Sequence, residues 1–233
     1  MNPRQWKAVV FDLDSTLCSY VLTVGEVVAN ALDRIGESRT LLDPLNGTVD
    51  RYNHLWLKLE VQANSAQATR KRVWEIVFRE RGADDPALCE RFAEAYSQIR
   101  KESGVRLFPG VETLLETLGR NVRLGLLTNG PSDMQWEKIH ALGIEQRFDA
   151  LLVAGDAGIY KPDPRIFRIL LDRLETEPGD ALFVGDSYPS DILGAHAAGM
   201  ITAWIRSNGA SPPKPPPVHN FTLQAATDLL EVL

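Results

Sequence analysis

Short apolar runs and amphipathic stripes divide this chain into two kinds of segment. From about residue 105 to the end the two alternate. VRLGLL (122–127) has the length of a strand, and the turn Thr128-Asn129-Gly130 leads from it into a helical pattern over roughly 132–142. A short strand near 149–153 follows. Asp163-Pro164 then reads as an N-cap with proline at the first helical position, opening a helix with Ile166, Phe167, Leu170 and Leu174 on one face. ALFV (181–184) is a buried-type strand ending at Gly185-Asp186. The helix after it is rich in small residues (Gly194, Ala195, Ala197, Ala198), stops at Gly199 and leads into a strand at 200–205. Uniformly apolar strands joined by helices predict an α/β fold with a doubly wound parallel sheet, covered on both faces. The N-terminal run KAVVF adds a further strand.

Residues 19–104 break the alternation because they read as helices only. Leu45, Val49, Tyr52, Trp56 and Leu59 recur at helical spacing on one stripe, and Leu88, Phe92, Ala95 and Ile99 do the same after Asp85-Pro86. Helices near 24–36 and 68–81 complete a predicted four-helix bundle. An all-helical block after the first strand of a parallel sheet is a second domain, so the expected division is 1–18 and 105–233 for the α/β core and 19–104 for the helical insert. The crossings should lie near 17–20 and 104–109. PPKPPP (212–217) reads as a stiff polyproline II connection before a last helix at about 222–232.

Composition narrows the class without naming a chemistry. An apolar fraction of 44% and a charged fraction of 24% over 233 residues are ordinary for a globular protein. A net charge of −6 argues against a nucleic-acid surface, which needs a basic face. No apolar run approaches the ~18 residues of a membrane span. The start, MNPRQWKAVV, lacks a signal-peptide core, and two cysteines make no disulfide framework, so a reduced, cytoplasmic setting is expected.

Candidate chemistry collects where the strands end. FDLDST puts Asp12, Asp14 and Thr16 after the first strand, where open α/β sheets hold ligands. Two carboxylates at one strand mouth repel by about 4 kcal/mol at ~4 Å and an effective dielectric near 20, which calls for a cation, a shared proton or both. Thr128-Asn129, Lys161 and the pair Asp186/Asp191 follow later strands in the same way. Asp12 and Asp186 offer hard oxygen ligands for Mg²⁺. Thr128, backbone N–H groups near Asn129 and the Lys161 ammonium offer donors to phosphate oxygens. With those in place, one Asp oxygen can attack phosphorus in line, and the acid two residues on can move the proton.

FDLDST, LLTNG, the lysine of YKPDPRIF, and GDSYPSD resemble, in order, the four motifs of the haloacid dehalogenase superfamily. The helical insert lies where that family's first class of cap lies. The resemblance covers the whole core and implies a phosphohydrolase with an aspartyl-phosphate intermediate. It implies Asp12 as nucleophile and metal ligand, and Asp14 as general acid/base with its backbone carbonyl on the metal. Thr128, Asn129 and Lys161 would hold the phosphoryl group, and Asp186 would complete the Mg²⁺ shell. Asp191 would orient a metal-bound water or Lys161, and Thr16 would shape the loop after the two acids. The motif positions show no departure from the phosphatase pattern.

The expected partner is therefore a small phosphorylated metabolite, with no nucleic acid and no membrane. A sugar-phosphate mutase on the same scaffold, a dehalogenase, and a non-catalytic phospho-acceptor switch are the alternatives. Asp14 argues against the dehalogenase, which needs neither an acid there nor a metal. Arg51, Lys58, Arg70, Lys71, Arg72 and Arg79 read as a solvated face of the insert, from which one or two reach an anionic substrate. Tyr20, at the crossing, is a candidate contact to the leaving group.

Overall fold

The computed structural model describes residues 6–60, 65–206 and 217–232. Two compact units divide the chain. One comprises Met1–Ser19, Leu107–Asn129 and Leu142–Leu233, the other Tyr20–Arg106 and Gly130–Ala141. The strands are β1 (Ala8–Phe11), β2 (Cys18–Tyr20), β3 (Val105–Leu107), β4 (Arg123–Thr128), β5 (Ala150–Val153), β6 (Ala181–Gly185), β7 (Ile201–Ile205) and β8 (Phe221–Leu223). Six of them form a parallel sheet in the order β5-β4-β1-β6-β7-β8.

Alternation along these strands buries both faces. Ala8 and Val10 of β1 and Ala181 and Phe183 of β6 cluster with Ile166, Phe167 and Leu170 from the helix Pro164–Arg173. Val9, Phe11, Leu182 and Val184 point the other way and are equally buried. Gly125 lets that helix approach β4: a Cβ there would lie 2.9 Å from Leu174 and 3.1 Å from Val10.

Four helices make up most of the second unit: α1 (Val24–Ile35), α2 (Leu45–Leu59), α3 (Ala66–Glu80) and α4 (Pro86–Ser103). Their ends are written in the sequence. Thr23 and Glu26 form a reciprocal capping box at the start of α1, and the Asp85 carboxylate accepts the Ala87 N–H at the start of α4. The apolar stripes meet in an aromatic core, where the Trp74 ring lies 4.7 Å from Tyr52, 4.8 Å from Phe92 and 5.1 Å from Tyr96.

The expected fold class is the observed one, and two details differ. The crossings at Cys18–Tyr20 and Val105–Leu107 pair with each other as a two-stranded sheet. The expected last helix over 222–232 is a strand, a single 3-10 turn and one helical turn (Leu229–Val232). Phe221 and Thr222 are good strand formers. The Asn220 side chain accepts the Thr202 N–H at 2.9 Å while its own N–H binds the Thr202 carbonyl, which draws this segment onto the sheet edge. The expected polyproline II connection at PPKPPP lies outside the described residues apart from Pro217. Among the described residues, no helix is long and apolar enough to cross a membrane.

Trp74 has no solvent exposure and three aromatic neighbours. Trp74→Ala is expected to cost about 3–5 kcal/mol of stability. A lowered urea midpoint would register it, and an unchanged midpoint would show that this ring cluster does not hold the helical unit together.

Candidate active site

Three adjacent strands, β4, β1 and β6, end side by side, with Phe11 of β1 paired to Leu126 on one flank and Val184 on the other. That register brings Thr128, Asp12 and Asp186 to one mouth, all within the α/β unit. The Asp12 N–H still belongs to the sheet and binds the Val184 carbonyl. The chain then turns sharply. Leu17 and Cys18 both donate N–H groups to the Leu13 carbonyl, and Ser15 takes a left-handed conformation at φ 62°. Asp14 is left half-buried on this turn. The Thr16 hydroxyl is buried with no hydrogen-bond partner among the described residues.

Lys161 organises the mouth. Its side chain is almost fully buried, and the ammonium lies 2.6 Å from Asp12 Oδ1, 2.7 Å from Asp191 Oδ1 and 3.1 Å from the Leu127 carbonyl oxygen. The Asp12 and Leu127 oxygens accept hydrogen bonds from it, while Asp191 Oδ1 faces it as an ion-pair partner and has no hydrogen-bond partner among the described residues. Asn129 holds the lysine from behind, accepting the Lys161 N–H at 2.9 Å and donating its amide to the Lys161 carbonyl at 3.0 Å. Burial by itself would lower this lysine, but the carboxylates of Asp12 and Asp191 outweigh it and hold the ammonium above its usual range.

Asp191 is buried, at 1% exposure, in a π-type turn over Tyr188–Ile192, and its second oxygen accepts the Ser187 N–H at 3.0 Å. Gly185 makes room for it, because a Cβ at that position would overlap the Asp191 carboxylate. The Asp186 backbone carbonyl is fixed by the Trp204 indole N–H at 3.0 Å. The Thr128 hydroxyl, at 1% exposure, donates to the Asn129 carbonyl at 3.2 Å.

Asp12, Asp186 and Asp191 present carboxylate oxygens within 4.8 Å of one another. Burial, together with Asp191 and Asp186, pushes Asp12 well above the usual carboxylate range despite Lys161. Burial, then Asp191, raises Asp186 to about 7. With all three ionised, one ammonium leaves two negative charges uncompensated. A hard divalent cation bound by oxygen removes that excess, so the donor set fits Mg²⁺. All eight residues singled out from the sequence lie in this unit. Asp12, Lys161, Asp186 and Asp191 meet at the mouth, with Thr128 and Asn129 on the neighbouring strand end. The sequence did not reveal the Leu127 carbonyl, the Ser187 N–H or the Trp204 indole as supports. The first two are backbone groups that any residue would supply, and Trp204 sits in an apolar strand where burial is its expected role.

Residues 6–199 match the family model described as haloacid dehalogenase-like hydrolase. The chain belongs to that family. A glyceraldehyde 3-phosphate phosphatase of Methanopyrus kandleri is 30% identical, covering 97% of each chain. The N-acylneuraminate-9-phosphatase of Rattus norvegicus is also 30% identical, over 100% of this chain and 96% of that one. Such relatives put the chain among the family's phosphoric monoester hydrolases. A 2-haloacid dehalogenase structure from Pseudomonas syringae pv. Tomato aligns with TM-score 0.66 and 29% identity over 97% of both chains. The magnesium-bound HAD-hydrolase YfnB of Bacillus subtilis aligns at TM-score 0.77 over 98% of this chain and 99% of that one, with 19% identity, a likeness of fold.

The raised Asp186 gives a pH test. Its folded-state pKa of about 7 exceeds the ordinary 3.8, so ionisation penalises the metal-free native state above pH 7. The penalty fades as pH falls from about 7 towards 3.8. Asp186→Asn cannot carry that charge. In EDTA the variant should be the more stable protein above pH 7, with the gap closing on acidification. A gap that is flat with pH, measured by chemical denaturation, would contradict this reading.

Proposed function

We propose that this chain hydrolyses a small phosphomonoester with Mg²⁺, through an aspartyl phosphate on Asp12, and that residues 19–104 act as a cap that selects the leaving group. One observation carries the reading: Asp12 is buried at the sheet mouth, clamped by Lys161 through one oxygen, among carboxylates whose charge one lysine does not balance. The second Asp12 oxygen is the nucleophile. It forms a bond to phosphorus while the bond from phosphorus to the leaving oxygen breaks. Protonated Asp14 gives its proton to that leaving oxygen. As a carboxylate it then takes a proton from water, whose oxygen attacks the phosphoryl group, breaks its bond to Asp12 and frees inorganic phosphate.

Thr128 and the backbone around Asn129 supply donors to the phosphoryl oxygens. Lys161 supplies positive charge beside them. Asp191 positions Lys161, and Thr16 shapes the turn that carries both acids. Mg²⁺ held by the side chains of Asp12 and Asp186 and the backbone carbonyl of Asp14 would supply the charge that lets the acid cluster ionise beside a phosphate. Phosphoryl transfer needs little beyond such positioning and neutralisation.

A dehalogenase reading has a solved structure of similar sequence in its favour, but it leaves Asp14 and the excess negative charge without a use. The mutase reading requires the phosphoryl group to return to substrate, and a need for a bisphosphate activator would identify it.

Phosphate release from a panel of phosphomonoesters, with Mg²⁺ and with EDTA, tests the proposal. Asp12→Asn is expected to abolish turnover of every substrate. Asp14→Asn should lose about 10²–10⁴-fold, the usual contribution of general acid–base catalysis, on an alkyl ester. It should regain part of that on an aryl ester, whose leaving group needs no proton. Equal rescue of both variants would overturn the division of roles, and Mg²⁺-independent release would overturn the metal assignment.

A further inference from the structure

One peptide unit ties two acids of the sheet mouth to each other. The Asp186 carbonyl and the Ser187 N–H belong to the same planar amide and point in opposite directions. The Trp204 indole N–H donates to that carbonyl at 3.0 Å, and the Ser187 N–H donates to Asp191 Oδ2 at 3.0 Å. Asp191 Oδ1 lies 2.7 Å from the Lys161 ammonium, which donates to Asp12 at 2.6 Å. An unbroken line of contacts therefore runs from the indole through one amide to Lys161 and Asp12, all within the α/β unit. Each hydrogen bond on an amide polarises it in favour of the other.

The indole is itself held from outside. Trp204 pairs in register with Gly185 on the neighbouring strand, beside the last residue before Asp186. Its ring is 4% exposed and meets Tyr188 at 5.1 Å and His219 at 5.4 Å, at interplanar angles of 82° and 64°. Such edge-to-face contacts are favoured between aromatic rings. The Tyr188 hydroxyl accepts the Val218 N–H at 2.8 Å, and His219 Nε2 lies 2.8 Å from the Thr222 hydroxyl. Tyr188 opens the turn that carries Asp191. That turn is thus tied to the sheet edge twice, at the Asp186 carbonyl and at the Tyr188 ring.

Packing alone does not require the indole N–H to be spent on this carbonyl. Asp186 is half-buried, and water satisfies a carbonyl in such a place. A fixed donor matters where the direction of the amide has to be kept. Here Asp12, Asp186 and Asp191 hold oxygens within 4.8 Å of one another against their mutual repulsion.

We propose that Trp204 is a positioning residue of the metal site. Its N–H fixes the plane of the amide between Asp186 and Ser187, and that plane sets both where the Asp186 side chain departs and where Asp191 meets Lys161. The anchor rests on the Mg²⁺-phosphatase reading for its use in turnover, though not for its effect on the amide.

Two replacements of Trp204 test it. β-(3-Benzothienyl)alanine puts sulfur in place of the N–H and keeps the shape of the ring, and Trp204→Phe removes the donor with a natural side chain. In EDTA, amide hydrogen exchange read by NMR should show Ser187 exchanging roughly tenfold faster in both, the scale of one lost hydrogen bond. The Asp12 amide, which donates to the Val184 carbonyl, should keep its rate. Calorimetric titration of metal-stripped protein with Mg²⁺ should show binding about 10–100-fold weaker, the usual cost of losing a group that orients a metal ligand. The Mg²⁺ concentration giving half-maximal phosphate release should rise by a similar factor, with a smaller change in kcat at saturating Mg²⁺. Ser187 exchange unmoved in both, equal acceleration of the Ser187 and Asp12 amides, or Mg²⁺ affinity within about twofold of wild type would overturn the anchor and leave the phosphatase proposal intact. No Mg²⁺ binding by the wild-type protein, with Ser187 exchange alone accelerated in both replacements, would overturn the metal assignment and leave the anchor standing.

Discussion

The structure of the site depends on one buried ammonium shared by two carboxylates. Taking each of these charges out of water costs several kcal/mol, and only short, well-satisfied contacts offset that. Lys161 meets the requirement with hydrogen bonds to Asp12 and the Leu127 carbonyl and an ion pair with Asp191 at 2.7 Å. Every neighbouring feature serves that arrangement. Asn129 holds the lysine backbone at both its N–H and its carbonyl, Gly185 leaves space for Asp191, and Ser187 takes up the remaining Asp191 oxygen. The result is a nucleophile with one oxygen immobilised and a local charge that still asks for a divalent cation.

The sheet supplies the geometry that such a cluster needs. Parallel strands all end on the same edge, so residues far apart in sequence arrive together without any special turn. Asp12 and Lys161 are joined across 149 positions in this way. Because both faces of β1, β4 and β6 are covered by apolar packing, the strand ends are held rigidly. The polar groups then appear only where the strands stop.

Local chemistry was legible in the sequence wherever it is written in short-range pattern. Apolar runs, Asp-Pro caps and helical stripes located the strands of the sheet and the four helices of the insert. Asp12, Asp14, Thr128, Lys161 and Asp186 stood out because each places a polar group after an apolar strand. The last strand escaped, since three residues carry little periodicity and its place was decided by Asn220 bonding to Thr202 on the sheet edge. Among six basic residues on the insert, Arg51, Lys71, Arg72 and Arg79 pair with surface acids, whereas Arg70 is half-buried against the Trp56 ring and the Met134 sulfur. The sequence could not separate Arg70 from its neighbours, because ion pairing at the surface and burial look identical in a helical repeat. Which carboxylates share Lys161, which glycine admits Asp191, and which indole anchors the Asp186 carbonyl are distances between residues far apart in the chain, and only tertiary packing decided them.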